Sequence, residues 1–277
     1  MRTRSLYLSG ALLAALSSFS VFLAPRLAAQ QSEKGFGVTP KVKPGGRVPD
    51  LSGMWGPRER SKTGADEARL TWDPSDPAGR KPEDAPMTPW ARERFEKAHP
   101  PFGVNETFEA INDPVQIYCD PAGVSRIYFY PWQFTFVQTP DTVYILYEFS
   151  RVWRSVSMNK PHPKDPDPTW LGDSVGRYEG DSLVVDTVGF NDKTWLDHVG
   201  HPHSEELHLV ERFRRVDHNT LELTVRVEDP KAYTKVLTGR KLFDLSSSPM
   251  GETICSASEM QSFQKEVIEP TTTPAKK

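Results

Sequence analysis

Cysteine is almost missing from this chain: Cys119 and Cys255 are the only two. Charge of one sign is missing as well. A net charge of −3 gives no electrostatic basis for binding nucleic acid or an anionic membrane. There is no G-x-S-x-G elbow, no P-loop and no H-E-x-x-H, so three common hydrolytic and nucleotide-binding plans are excluded at the motif level. No βαβ pattern supports a dinucleotide fold, and no internal repeat supports a propeller. Proline, by contrast, is plentiful at 25 residues, concentrated in the first half and in loops. That distribution argues against a mainly helical protein, because proline removes a helix donor and clashes with the preceding turn.

What is present is β-pattern. The organising block runs from Thr169 to Arg215. It predicts a strand over 174–179, a tight turn at Gly180-Asp181, a strand over 183–188, a polar loop with three histidines, and a long strand over 207–216. Gly-Asp tolerates the positive φ that hairpin turns need. Further strands are expected at 117–119, 127–130, 134–138, 143–149, 152–158, 220–228 and 236–245. In 220–228 the alternation is clean, with Leu221, Leu223, Val225 and Val227 facing in. One helix is expected over 87–99, where Thr88 can cap, Pro89 sits at the first helical position, and Trp90 and Phe95 dock the helix. The fold class is therefore mainly β: an antiparallel lipocalin-like barrel, or a β-sandwich, with one short outer helix.

Four segments are expected. Residues 1–29 read as a signal peptide, with Arg2 and Arg4 ahead of an apolar run and small residues before Gln30. The alternative is an uncleaved membrane anchor, since that run is nearly long enough to span. Residues 30–49 read as a flexible linker, 50–266 as a single β-rich domain and 267–277 as a disordered tail. Export makes a Cys119–Cys255 disulfide the expected use of both cysteines, against two buried free thiols.

Several residues stand out as candidates for chemistry. Glu211 occupies the apolar face of Leu207, Leu209, Glu211, Phe213, and Arg154 the apolar face of Val152, Arg154, Val156, Met158. Inward charges are costly unless paired, so the two could meet inside the barrel as the polar end of a ligand cavity. A structural ion pair, or a register slipped by one residue, are the alternatives. His203 and His208 are candidate acid/base groups, and His162 joins them from the Pro-rich loop before Trp170. The loop holding His198, His201 and His203 could supply metal ligands together with Asp197 and Glu205. Its spacing matches no zinc signature, however, and no metal is assigned. Tyr147, Trp153, Trp170 and Phe213 are expected to contact substrate, and Asp186 has ambiguous facing.

Several stretches, carried together, bring a family to mind: Asp50-Leu-Ser-Gly-Met-Trp55, Cys119-Asp-Pro-Ala-Gly123, the block W-L-G-D-S-V-G-R-x-E-G-D-x-L-V-V-D-T-x-G-F-N from Trp170 to Asn191, Thr194-Trp-Leu-Asp197 and His201-Pro-His-Ser204. The chain resembles a large group of exported bacterial proteins, frequent in soil organisms, for which no activity is settled. The resemblance implies export and a single mostly-β domain, and it supplies no catalytic residues.

The functional expectation is an exported protein, periplasmic or secreted, that acts on a small molecule. In one form it is an acid/base enzyme, a lyase, isomerase or hydrolase, holding an apolar or aromatic substrate. In others it is a non-catalytic ligand carrier, a His-rich metalloprotein or a filled scaffold. No cofactor, no nucleic-acid partner and no stable membrane insertion after signal cleavage is expected.

Overall fold

Alternating inward side chains close the chain into a barrel. In the computed structural model the strands are β1 (Met54–Pro57), β2 (Leu70–Thr71), β3 (Phe134–Gln138), β4 (Thr142–Tyr147), β5 (Trp153–Met158), β6 (Asp173–Glu179), β7 (Ser182–Val188), β8 (His208–Asp217), β9 (Thr220–Glu228) and β10 (Leu237–Ser246). The structure describes residues 48–58, 70–71, 82–100, 111–263 and 265–266. The expected signal peptide, all but the last residues of the linker, and the tail lie outside them. From β3 to β10 each strand pairs with the next, and β10 returns to β1, which also pairs with β3, so nine strands form a closed wall. The two-residue β2 pairs with the start of β10, at Thr238 and Gly239. No helix among the described residues is long and apolar enough to cross a membrane.

Neighbouring strands are antiparallel, with one exception. β5 and β6 run parallel, Val156 opposite Ser174, joined by the Pro-rich loop 159–172. A parallel pair cannot be joined by a tight turn, so this long loop is the crossover. The β6–β7 hairpin turns at Gly180-Asp181, with Gly180 at φ +60°. The inner face carries Val143, Ile145 and Tyr147 from β4, Val156 and Met158 from β5, Leu209 and Phe213 from β8, and Leu221, Leu223, Val225 and Val227 from β9, all buried. The same alternation turns Thr224 and Arg226 outward.

The helix expected over 87–99 is present as α1 (Pro89–Lys97). Thr88 Oγ1 accepts from Ala91 N at 3.3 Å, and Ala91 and Phe95 are buried. Two short helices stand where strands were expected at 117–119 and 127–130: α2 (Pro114–Tyr118) and α3 (Val124–Ile127). Asp113 caps α2 by accepting from Val115 N at 3.0 Å, Pro114 occupies its first turn, and Cys119 ends it in the left-handed region at φ +58°. Gly123, at φ +82°, starts α3; a Cβ there would meet Thr194 Oγ1 at 2.7 Å. The Cys119–Cys255 disulfide ties the end of α2 to the segment before α4 (Ala257–Phe263).

α3 acts as a plug. Val124, Ser125, Arg126, Ile127 and the following Tyr128 are all buried. The Tyr128 ring touches Phe134 of β3, Tyr147 of β4, Phe213 of β8 and Phe243 of β10 at centroid distances of 5.5–6.3 Å. A ring in contact with four separate strands of a closed wall lies in the interior.

Candidate functional site

Strand alternation puts Arg154 and Glu211 on the inner face, 3% and 0% exposed. Arg154 Nη2 lies 2.7 Å from Glu211 Oε2. The Tyr128 hydroxyl donates to Glu211 Oε1 at 2.7 Å and lies 2.7 Å from the Tyr147 hydroxyl. Four side chains from β4, β5, β8 and the end of α3 thus form one water-excluded polar centre, walled by Phe213. The Nε and Nη1 atoms of Arg154 are buried without a hydrogen-bond partner among the described residues. Burial pushes Glu211 up, while Arg154 and Tyr128 pull it back. Burial works against the Arg154 charge, but the Glu211 carboxylate beside it holds the guanidinium charged. Desolvation pushes the Tyr147 phenol up to about 12 and Tyr128 well above the ordinary tyrosine value.

The histidines stand elsewhere. His203 is buried in the loop between β7 and β8. Its Nδ1 faces Ser204 O at 3.1 Å and its Nε2 lies 2.6 Å from Thr194 Oγ1. The carbonyl can only accept, so Nδ1 carries the proton and Nε2 takes the threonine hydroxyl; burial lowers this imidazole. His201 has Asp197 Oδ2 at 2.5 Å from Nδ1 and Pro82 O at 2.9 Å from Nε2, and stacks on Phe95. Burial opposes its charge, yet Asp197 raises it, because both ring nitrogens face acceptors. His203 pairs with Thr194 and Ser204, and His201 with Asp197 and Pro82, so neither ring touches Glu211. These two rings fasten the loop.

His162, His208 and Asp186 meet on the outer face. The Asp186 carboxylate shares that face with Val184, while Leu183 and Val185 belong to the core. Asp186 Oδ1 lies 3.1 Å from His162 Nε2 and 2.8 Å from His208 Nε2, and His162 Nδ1 lies 2.7 Å from Asp173 Oδ1. His162 and His208 therefore stand on the outer face, with the strand wall between them and Glu211. Trp153 is 58% exposed and packs against Tyr144 outside the barrel, and Trp170 lies under Lys193 at 5.6 Å; neither ring is placed in the polar centre. Among the described residues, no group of three or more His, Cys, Asp or Glu is placed so that it could hold a metal ion.

Sequence reasoning missed Tyr128, and with it a second buried pair, Arg126–Asp113. The Arg126 guanidinium donates to both Asp113 oxygens at 2.8 and 2.5 Å, with Tyr130 and Trp195 beside it. Asp113-Pro114 followed by Gly123 was the available signal, a cap and first-turn proline that mark a helix. It missed Lys241 too. Lys241 lies on the face of β10 that carries Gly239 and Phe243, and its ammonium donates to the Tyr128 carbonyl at 2.5 Å. Burial pulls that ammonium down to about 8. It lines a narrow crevice of about 10 Å³ between α3 and the β9–β10 wall, with Ser125, Tyr128, Phe129, Leu223 and Val225.

No family model matches the chain, and no curated protein matches it. A solved structure titled REP1-NXSQ fatty acid transporter is similar over 43% of this chain and 72% of that chain, at 10% identity and a TM-score of 0.27. At that level of likeness, the function is argued from the side chains alone.

Proposed function

We propose that the chain is an exported, periplasmic or secreted, small-molecule-binding barrel, of the group its central block resembles. Its ligand is a compact apolar acid. The observation that carries this reading is the narrow crevice between α3 and β9–β10, which a ligand would widen. Leu223, Val225 and Phe129 make its walls apolar, and Lys241 supplies a half-desolvated cation at its edge. An apolar wall with one convergent charge is the usual composition of a small-ligand site. The Tyr128 ring lines the crevice and its hydroxyl reaches Glu211, so a ligand seated there presses on the plug that holds the polar centre. The acid/base enzyme reading has less behind it. Glu211 is engaged by Arg154 and Tyr128, and no histidine hydrogen-bonds to it.

Titration calorimetry with medium-chain and aromatic carboxylates, set against their alcohol analogues, tests the proposal. The acids should bind and the alcohols should bind more weakly. Lys241→Met should weaken the acids roughly tenfold, the scale of one charged contact. Leu223→Trp should block both. Equal binding of acid and alcohol, or no binding of either, rejects the reading.

A further inference from the structure

Lys241 stands opposite Leu223 on β10, half-buried, and among the described residues no carboxylate is paired with it. Its Nζ donates to the Tyr128 carbonyl at 2.5 Å and lies 5.8 and 5.3 Å from the centres of the Phe129 and Phe243 rings. The neighbours on its face are uncharged: Leu223 and Val225 on β9, Gly239 and Phe243 on β10. The nearest charged groups are engaged elsewhere. Arg240 pairs with Glu222, and Arg126 of α3 is bound to Asp113. Glu211 is held by Arg154 and Tyr128. An ammonium loses water on burial, and with no carboxylate in place of that water it holds its proton weakly. Burial draws Lys241 down to about 8. At pH 7 roughly one such side chain in ten is an uncharged amine, against about one in a few thousand for a lysine at the ordinary value.

We propose that Lys241 is a covalent attachment site for a short, unbranched aldehyde, which it holds as an imine. The Tyr128 carbonyl takes one N–H hydrogen, and this leaves the lone pair on another side of the nitrogen. The crevice around it is apolar and narrow, so it admits a slim partner in preference to a bulky one. In the step, the Nζ lone pair attacks the carbonyl carbon. A C–N bond forms and the carbonyl π pair moves onto oxygen. One N–H proton passes to that oxygen, giving a carbinolamine. The C–O bond then breaks, the oxygen leaves as water with the second N–H proton, and the C=N bond closes. Amine and aldehyde give imine and water, and nothing is oxidised or reduced. A lysine desolvated in an apolar pocket is a usual nucleophile for this chemistry. The acid-binding reading needs Lys241 charged, whereas the imine forms from its uncharged fraction, so the two share a crevice and fail separately.

The test treats the full chain at about pH 7 with propanal and cyanoborohydride, which reduces an imine to a stable secondary amine. Peptide masses at low conversion then locate the propyl groups. Lys241 should be labelled at least about tenfold faster than Lys97, which is 73% exposed and paired with Glu93. Its labelling should level off above about pH 8, while that of Lys97 goes on climbing. In urea the preference should vanish, because it comes from the fold. Pivaldehyde, branched beside its carbonyl, should lower the ratio of Lys241 to Lys97 labelling. Lys241→Arg keeps the charge and should remove the fast label alone. Equal rates at the two lysines of the native chain overturn the proposal. So does a fast label that persists in Lys241→Arg, or a preference that survives urea. Acids that fail to bind in calorimetry while Lys241 still labels fast reject only the acid-binding reading. Acids that bind while Lys241 labels no faster than Lys97 reject only the imine.

Discussion

Removing one member of the Arg154–Glu211 pair leaves its partner charged in a region closed to water. Arg154→Met or Glu211→Leu alone should cost roughly 3–5 kcal/mol, while the double variant recovers most of that loss, because the penalty is the stranded charge. Urea unfolding of the four proteins of the cycle checks this; additive single losses would contradict it. The two loop histidines should respond oppositely to pH. His201 is raised from 6.5 by Asp197 against its burial, so its contribution is complete below about pH 6.5 and fades as pH climbs through the folded value. Burial works against the Asp197 charge, but His201 keeps that carboxyl below 3.8; its share is present above about pH 4 and lost in stronger acid. His203 is lowered by burial, so its share is present above about pH 6.5 and lost as pH falls. The penalty of His201→Gln should therefore be larger at about pH 5 than at pH 8, and that of His203→Gln larger at pH 8. Unfolding midpoints at the two pH values decide, and the reverse ordering would refute the assignment of partners.

At the level of elements, the Cys119–Cys255 bridge closes a 136-residue separation. Cys119→Ser with Cys255→Ser should lower stability by about 4–5 kcal/mol on chain-entropy grounds, read by denaturant titration, and alkylation of the native unreduced protein should find no free thiol. Gly123→Ala should cost more than about 1 kcal/mol, from positive φ and the approach of Thr194. These elements also mark what a reader of the sequence could reach. The wall strands were legible because inward and outward residues alternate, and the inward facing of Glu211 and Arg154 followed from the same alternation. α2 and α3 were not. Ile117, Tyr118 and Ile127 are β-prone residues in four- and five-residue helices whose stability comes from packing and caps, and Tyr128 follows directly, so composition pointed the wrong way. Misreading α3 as wall hid Tyr128, and without Tyr128 the polar centre lacked its bridge. The histidines were legible as a group but not by partner. His203 is placed by Thr194 in its own loop, a partner that composition does not single out, and His201 by Pro82, a contact that exists only once distant segments have met.

For the whole molecule, closure rests on β1 meeting β10. Trp55, fully buried on β1, should cost roughly 3–5 kcal/mol when replaced by alanine. A fragment ending at Glu228 should stay unfolded by tryptophan fluorescence and urea response, since it lacks β10, which pairs with both β9 and β1. That seam also sets a clock. Met54 faces Ser246 across it, about 190 residues later in the chain. A ribosome adding about 5–20 residues each second leaves roughly 10–40 s between the two. Through that interval Trp55 is an unclaimed aromatic on an open strand edge, which makes the nascent chain a client for whatever chaperone first reaches it.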